Sequence, residues 1–279
     1  MFTVIAVIET RHTFVIGRTL AAAAFGDRPG TWPLPAAVTP GELWLRAVAA
    51  GGQGRYGSAY RDLAELRRSA AAGRLVSLSH STQGSFLRQL GWHDRARGWD
   101  GRALALAGAD PEARGDALIG LAADALGVGR FRAAATLLSG ADSVLGDAGP
   151  VPDRLPVRRR WVAAELAMAQ GDGEMAVHHA NEAVDLAGAM AVASARHAVK
   201  SQVVLAAALC SAGAVDRARA VAEAALDATG ALGLVPLRWA LACLLIDLGS
   251  VTFSTQQLRE IRDVSAGHVR RAGATWRSA

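Results

Sequence analysis

From about residue 41 onward, apolar residues recur three to five positions apart, as at Leu118, Leu121 and Leu126 or at Leu205 and Leu209. That spacing puts them on one stripe of a helix, whereas a strand would show strict alternation. Short gaps centred on glycine interrupt the stripes, so the pattern predicts a succession of helices joined by tight turns. Residues 1–40 differ. Thr3 to Ile8 and Thr13 to Ile16 are rich in β-branched residues, and Asp27 to Pro40 holds Pro29, Gly30, Pro33, Pro35 and Pro40, a turn-rich linker. The expected organisation is an N-terminal arm and linker over 1–40 and a helical region over 41–279. Whether the arm caps the helices or is a poorly ordered leader is open at this level.

The helical region repeats. Gly54, Gly91, Gly129, Gly171 and Gly213 are each followed five residues later by Ala, at Ala59, Ala96, Ala134, Ala176 and Ala218. Seven residues before each glycine stands a small residue, Ala47, Gly84, Ala122, Ala164 or Ala206; twelve after it come Leu66, Ala103, Ala141, Ala183 and Ala225. The glycine-to-glycine steps are 37, 38, 42 and 42 residues, and a weaker sixth unit follows at Gly249. Each unit reads as helix, turn, helix: glycine ends the first helix, and the small residues let the two helices of a hairpin approach closely. A lone hairpin cannot bury its apolar face, so stacked hairpins share a continuous core.

This ladder, with an aromatic residue two positions after the glycine at Tyr56 and Phe131, resembles the tetratricopeptide repeat family over roughly residues 41–270. The steps exceed that family's period of about 34 residues, and no proline regularly closes a unit. The longer period is similar to divergent helical repeats of large bacterial transcription activators and peptide-sensing regulators. The resemblance implies an all-α, right-handed α-solenoid of about six hairpins with a concave groove. Ser254 and Gln257 form a capping-box pattern that opens a last helix, Gln256 to about Arg271. Its charge suits the polar terminal cap of an open solenoid.

Composition narrows the function classes. Ala and Leu dominate the 51% hydrophobic content of the 279 residues, favouring helix over sheet. Lys200 is the only lysine, so the formal net charge of +5 comes almost wholly from arginine, which suits bidentate contact with carboxylate or phosphate. The basic residues are scattered and do not alternate with aromatics, so direct nucleic-acid binding is not expected. No membrane span is expected either: Phe14 to Phe25 is the nearest approach, and Arg18 interrupts it. Cys210 and Cys243 sit in apolar helical patterns as core thiols, consistent with a cytoplasmic location.

Four stretches invite a chemical reading. Gly52, Gly54 and Gly57 spell the Gly-x-Gly-x-x-Gly of a dinucleotide loop, but a helical segment precedes them and no acidic residue follows at the required distance, so they equip a turn. Glu174, His178 and Glu182, with His179 alongside, form a stripe read as a solvated outer face with no metal. Ser79-His80-Ser81 and His93-Asp94 lack any catalytic surround, and their histidines are expected at the surface or satisfied in the core. Arg158-Arg159-Arg160 opens the first helix of the fourth unit, where the helix dipole disfavours cations. The cluster contacts an anion such as an acidic peptide or a phosphate, or else fans out into solvent or pairs with Asp147 and Asp153.

Within the resemblance, residues ten positions before each turn glycine line the groove: Trp44, Ser81, Ile119, Trp161, Val203 and Trp239. Residues six and three before it add Ser85, Arg88, Glu165, Met168 and Cys210. The Lys/Asn/Arg set with which some family members clamp a C-terminal carboxylate is missing. The expectation is a non-enzymatic scaffold without cofactor, binding an acidic or amphipathic protein or peptide through Trp44, Ser85, Arg88, Arg158, Trp161 and Glu165. The alternative is the sensor or regulatory module of a bacterial transcription-regulatory system. Self-association is left open.

Overall fold

The computed structural model describes residues 15–69, 72–147 and 149–277, and shows helices and turns with no strand among them. Helix α1 covers 15–25. Six hairpins follow: α2 (Pro40–Gly52) with α3 (Tyr56–Ser69), α4 (Arg74–Gln89) with α5 (His93–Leu106), α6 (Pro111–Gly127) with α7 (Phe131–Asp147), α8 (Arg154–Ala169) with α9 (Gly173–Gly188), α10 (Ala195–Ser211) with α11 (Val215–Ala231), and α12 (Val235–Leu248) with α13 (Thr255–Arg271). The fold is the all-α succession of hairpins that the repeat pattern implies. First helices pack on their partners and on neighbouring first helices.

The ladder explains the hairpin. The six turn glycines, from Gly54 to Gly249, all have positive φ, between 74° and 87°. In the first five units this lets the next residue donate its N–H to the carbonyl five positions back, as from Arg55 to Ala50 at 2.8 Å and from Arg130 to Ala125 at 2.8 Å, the Schellman closure of a helix end. Ala59, Ala96, Ala134, Ala176 and Ala218 are all fully buried, as are Ala47, Ala122, Ala164 and Ala206. Side chains larger than methyl at these positions would push the paired helices apart.

Caps set the helix starts. Thr39 and Glu42 form a reciprocal capping box before α2, and Ser254 and Gln257 form one before α13. Helix α8 begins at Arg154, so Pro156 lies in its first turn, where backbone N–H groups have no intrahelical acceptor to lose.

The repeat does not stay open. The end of α13 and the tail behind it dock on the first two hairpins: Gly57 N–H donates to the Ala272 carbonyl at 2.7 Å, Arg277 N–H to Leu90 at 2.9 Å, and Trp92 Nε1 to Thr275 at 2.9 Å. Val269, with Ala274 and Trp276, joins the core around Tyr56, Phe86 and Leu90. The solenoid therefore closes on itself, and the last helix is a closing element with a buried face at Leu258, Ser265 and Val269, which corrects its expected role as a solvated cap. The rotation accumulated over six hairpins brings the two ends together.

The glycine-rich stretch answers to this seam. A Cβ at Gly51 would fall 2.2 Å from the Phe86 ring, and one at Gly57 would fall 3.0 Å from the Ala272 carbonyl. Residues 15–39 also pack against the ring, contacting α2 and the start of α10. Leu20, Ala23 and Ala24 are buried, Ala195 N–H donates to Gly26 at 3.1 Å, and Gln53 Nε2 donates to the Pro29 and Thr31 carbonyls at 2.8 and 2.9 Å. Thr3 to Ile8 lie outside the described residues. Of the β-branched run at Thr13 to Ile16, residues 15 and 16 are helical.

Candidate functional site

Closure turns the groove into a lumen, a cavity of about 400 Å³ walled by α1 and the first helices of all six hairpins. The six positions ten residues before the turn glycines, Trp44, Ser81, Ile119, Trp161, Val203 and Trp239, all line it. So do Ser85, Arg88, Arg158 and Glu165. Met168 and Cys210 instead pack into the core between the fourth and fifth hairpins.

The walls carry an aromatic chain. Phe25 lies 5.3 Å from the Trp44 ring and 6.3 Å from His197, and His197 stacks on Trp161 at 5.4 Å with an interplanar angle of 20°. Trp44 Nε1 donates to Thr82 Oγ1 at 3.0 Å and Trp161 Nε1 to Ser201 Oγ at 2.8 Å, so both indoles are fixed by hydrogen bonds between neighbouring hairpins. Across the cavity Trp239 stacks on Trp276 of the tail at 3.8 Å. Glu165 and Lys200, 35% and 30% exposed, pair at 3.5 Å where the lumen meets solvent.

The arginine cluster pairs within the protein. Arg158 bonds Asp116 of α6, Arg159 holds Asp142 of α7 at 2.6 Å, and Arg160 holds Glu182 of α9 at 3.2 Å. Asp153 instead accepts from the Ala191 N–H. The expected partners Asp147 and Asp153 are thus replaced by acids on packed helices, because α8 begins earlier than the arginines and carries them into its second turn. Arg88 reaches the cavity wall, but its Nη1 is held by Asp100 at 2.7 Å and Asp124 at 2.6 Å. Its guanidinium belongs to the wall.

Several lumen residues escaped the sequence. Arg154 bonds Glu112 at 2.8 Å and Asp116 at 3.0 Å. Arg196 makes no carboxylate contact among the described residues; it donates to the Val48 carbonyl at 3.4 Å and lies 5.7 Å from the Phe25 ring. Burial, followed by the repulsion of Arg154, lowers the Arg196 pKa to about 10. Burial and then the repulsion of Arg88 bring Arg158 to about 10 as well. His197 is held neutral by burial and by Arg196, Arg154 and Arg158. Its partner Ser194, at 2.8 Å, lies outside the cavity lining, so the pair presents no nucleophile to the lumen. An abundance of glycine beyond one turn's need, and a tryptophan beyond the last helix, were the available signals for the seam and for Trp276.

The remaining motifs resolve locally. His178, His179 and Glu182 bring ligand atoms within 4.8 Å of one another, with the Arg160 guanidinium on the same carboxylate. His80 packs 5.3 Å from Trp99, and both His80 Nδ1 and His93 Nδ1 are buried without a hydrogen-bond partner. His80 is therefore neither a surface nor a satisfied core histidine, since Trp99, Arg67 and Arg102 surround it in place of acceptors. Cys210 and Cys243 are free, half-buried thiols. No described helix is long and apolar enough to cross a membrane.

No protein-family model and no curated protein matches the chain. Among solved structures, the chain is similar to a tetratricopeptide repeat protein from Parabacteroides merdae ATCC 43184, with 15% identity, a TM-score of 0.47, and coverage of 92% of this chain and 96% of that one. The description of the fold stands on the six hairpins themselves.

Proposed function

We propose that this chain is a non-enzymatic sensing module that takes a small ligand into the lumen of its closed solenoid and signals occupancy through the ring. The observation that carries this is the convergence of all six first helices on one cavity, of a size suited to a small molecule, with Phe25 of α1 and Trp276 of the tail in its lining. An extended peptide would need an open groove, whereas Trp276 of the tail stacks on Trp239 in the cavity wall. Trp44 and Arg88 serve the wall, whereas Ser85, Arg158, Trp161 and Glu165 face the ligand. Coupling follows from construction: a ligand touching α2, α8 and α12 at once favours one arrangement of the ring over another by its differential affinity.

The test is equilibrium dialysis of the purified protein against the low-molecular-mass fraction of a bacterial extract, with retained species identified by mass spectrometry. Wild type is compared with Ile119→Trp, which fills the lumen. Retention of a discrete compound by wild type and its loss in the variant supports the proposal. Retention of nothing small by wild type, or equal retention by both forms, overturns it.

A further inference from the structure

The lumen's charge is unevenly matched. Among the described residues five cations line its walls, Arg88, Arg154, Arg158, Arg196 and Lys200, and all but Arg196 hold a carboxylate: Asp100 and Asp124 on Arg88, Glu112 and Asp116 on Arg154, Asp116 on Arg158 and Glu165 on Lys200. Around Arg196 the imbalance is sharper: Arg74, Arg154 and Arg158 share Glu112 and Asp116, and Arg196 touches neither. A desolvated cation without a counter-charge is costly, and a bound anion removes that cost. The Arg196 side chain is held in place by the Val48 carbonyl and by Gly52, whose missing Cβ leaves room for the Arg196 Cδ. Beside it stands the apolar wall of Phe25, His197 and Trp161, with Ile119, Val203 and Leu237 further round the cavity.

We infer that Arg196, assisted by Arg158, is an anion-recognition site that binds the carboxylate of a small amphiphilic monocarboxylic acid, whose apolar body lies against Phe25 and Trp161. A single surplus cation matches a monoanion better than a phosphate dianion, and a planar carboxylate can take two parallel N–H donors from one guanidinium. His197 stays neutral beside the site and adds an aromatic face without adding charge. This inference rests on the lumen being a ligand site, and its failure is separable from failure of that reading.

The experiment is calorimetric titration of the full chain with matched acid and alcohol pairs, decanoate with decanol and indole-3-acetate with indole-3-ethanol, and with decyl phosphate, on wild type, Arg196→Met and Arg196→Lys. The aliphatic and aromatic pairs distinguish the two kinds of apolar body. Wild type is expected to prefer the acid of at least one pair by roughly tenfold or more, as a charge-assisted hydrogen bond would give. Arg196→Met should abolish the preference and Arg196→Lys should keep part of it. Without ligand, Arg196→Met should melt about 2–4 °C higher than wild type, because it removes an uncompensated cation. A structural arginine would instead lower the melting temperature when removed. Equal affinity for acid and alcohol overturns the anion site and leaves the lumen a neutral-ligand site. Tighter binding of decyl phosphate than of either acid overturns the monocarboxylate. Binding of none of the probes overturns both readings, as does binding unaffected by Ile119→Trp.

Discussion

Replacing Arg88 by Met should be among the most damaging single changes in the chain. The Asp100 and Asp124 side chains are fully buried, and Arg88 Nη1 is shared between them at 2.7 and 2.6 Å and with the Gly120 carbonyl at 3.1 Å. Methionine keeps the unbranched stem and deletes the charge, leaving two carboxylates facing each other out of water. Breaking a buried ion set by removing one partner costs about 3–5 kcal/mol, a third or more of the stability of a typical domain. The stability of the variant should depend on pH. Burial, against the attraction of Arg88 and with the repulsion of Asp124, already raises the Asp100 carboxyl to about 7, and losing Arg88 raises it further. The native variant then holds a proton that the unfolded chain, with an ordinary carboxyl near 3.9, releases. Its stability therefore rises as pH falls. With the Asp100 proton held throughout, at about 1.4 kcal/mol per pH unit, the variant gains about 2 kcal/mol of stability between pH 7 and 5.5, and the gap to wild type narrows only slightly because wild-type Asp100 takes up its own proton over the same range. Urea denaturation followed by far-UV circular dichroism at the two pH values measures this, and the triple variant Arg88→Met, Asp100→Asn, Asp124→Asn should recover most of the loss. A loss below about 1 kcal/mol at pH 7, or a variant whose own stability does not rise between pH 7 and 5.5, would refute the reasoning.

Two further predictions use the same assay. Burial, then Arg67 and Arg102, lower the His80 pKa to about 4, so below the ordinary value near 6.5 the unfolded chain takes a proton that the native one refuses and stability falls with pH; His80→Phe should lose about 2 kcal/mol less than wild type on going from pH 7 to 5. An equal acid dependence in the two proteins would show that His80 is not the group responsible. Gly120→Ala should destabilise by about 1–3 kcal/mol, since its Cβ would lie 2.6 Å from the Asp100 carboxylate. Gly101→Ala, at an exposed helical site with nothing within 4 Å, should stabilise by about 0.5–1 kcal/mol. The reverse ranking in urea titrations would contradict the packing described for Asp100.

What could be read from the sequence was local. The alanine and glycine ladder was legible because contact within a hairpin requires small residues at fixed offsets from the turn, and Ala59 and Ala134 have no other way to be fully buried between two helices. The lumen positions followed from the same offset, which is why Trp44, Ile119 and Trp161 converge on one cavity. The closure was hidden, because it depends on rotation summed over six units, and no single unit encodes it. For the same reason Gly57 read as part of a turn although its N–H meets Ala272, more than two hundred residues away. Charge pairing was hidden too: Arg158, Arg159 and Arg160 found acids on three different helices. Arg196 differs from the other lumen arginines, Arg88, Arg154 and Arg158, in having no carboxylate partner among the described residues, and that is visible only in three dimensions.

The closed ring is tested most directly by the hydrogen exchange of one amide. Gly57 is in the first turn of α3, where backbone N–H groups have no intrahelical acceptor, and its only described partner is the Ala272 carbonyl at 2.7 Å. Exchange measured by NMR on the full chain should show Gly57 strongly slowed, and a chain ending at Arg271 should lose that protection while the amides in the middle of α3 keep theirs. Exchange of Gly57 in the full chain at the rate of a free amide would mean that the solenoid is open and that the lumen does not exist.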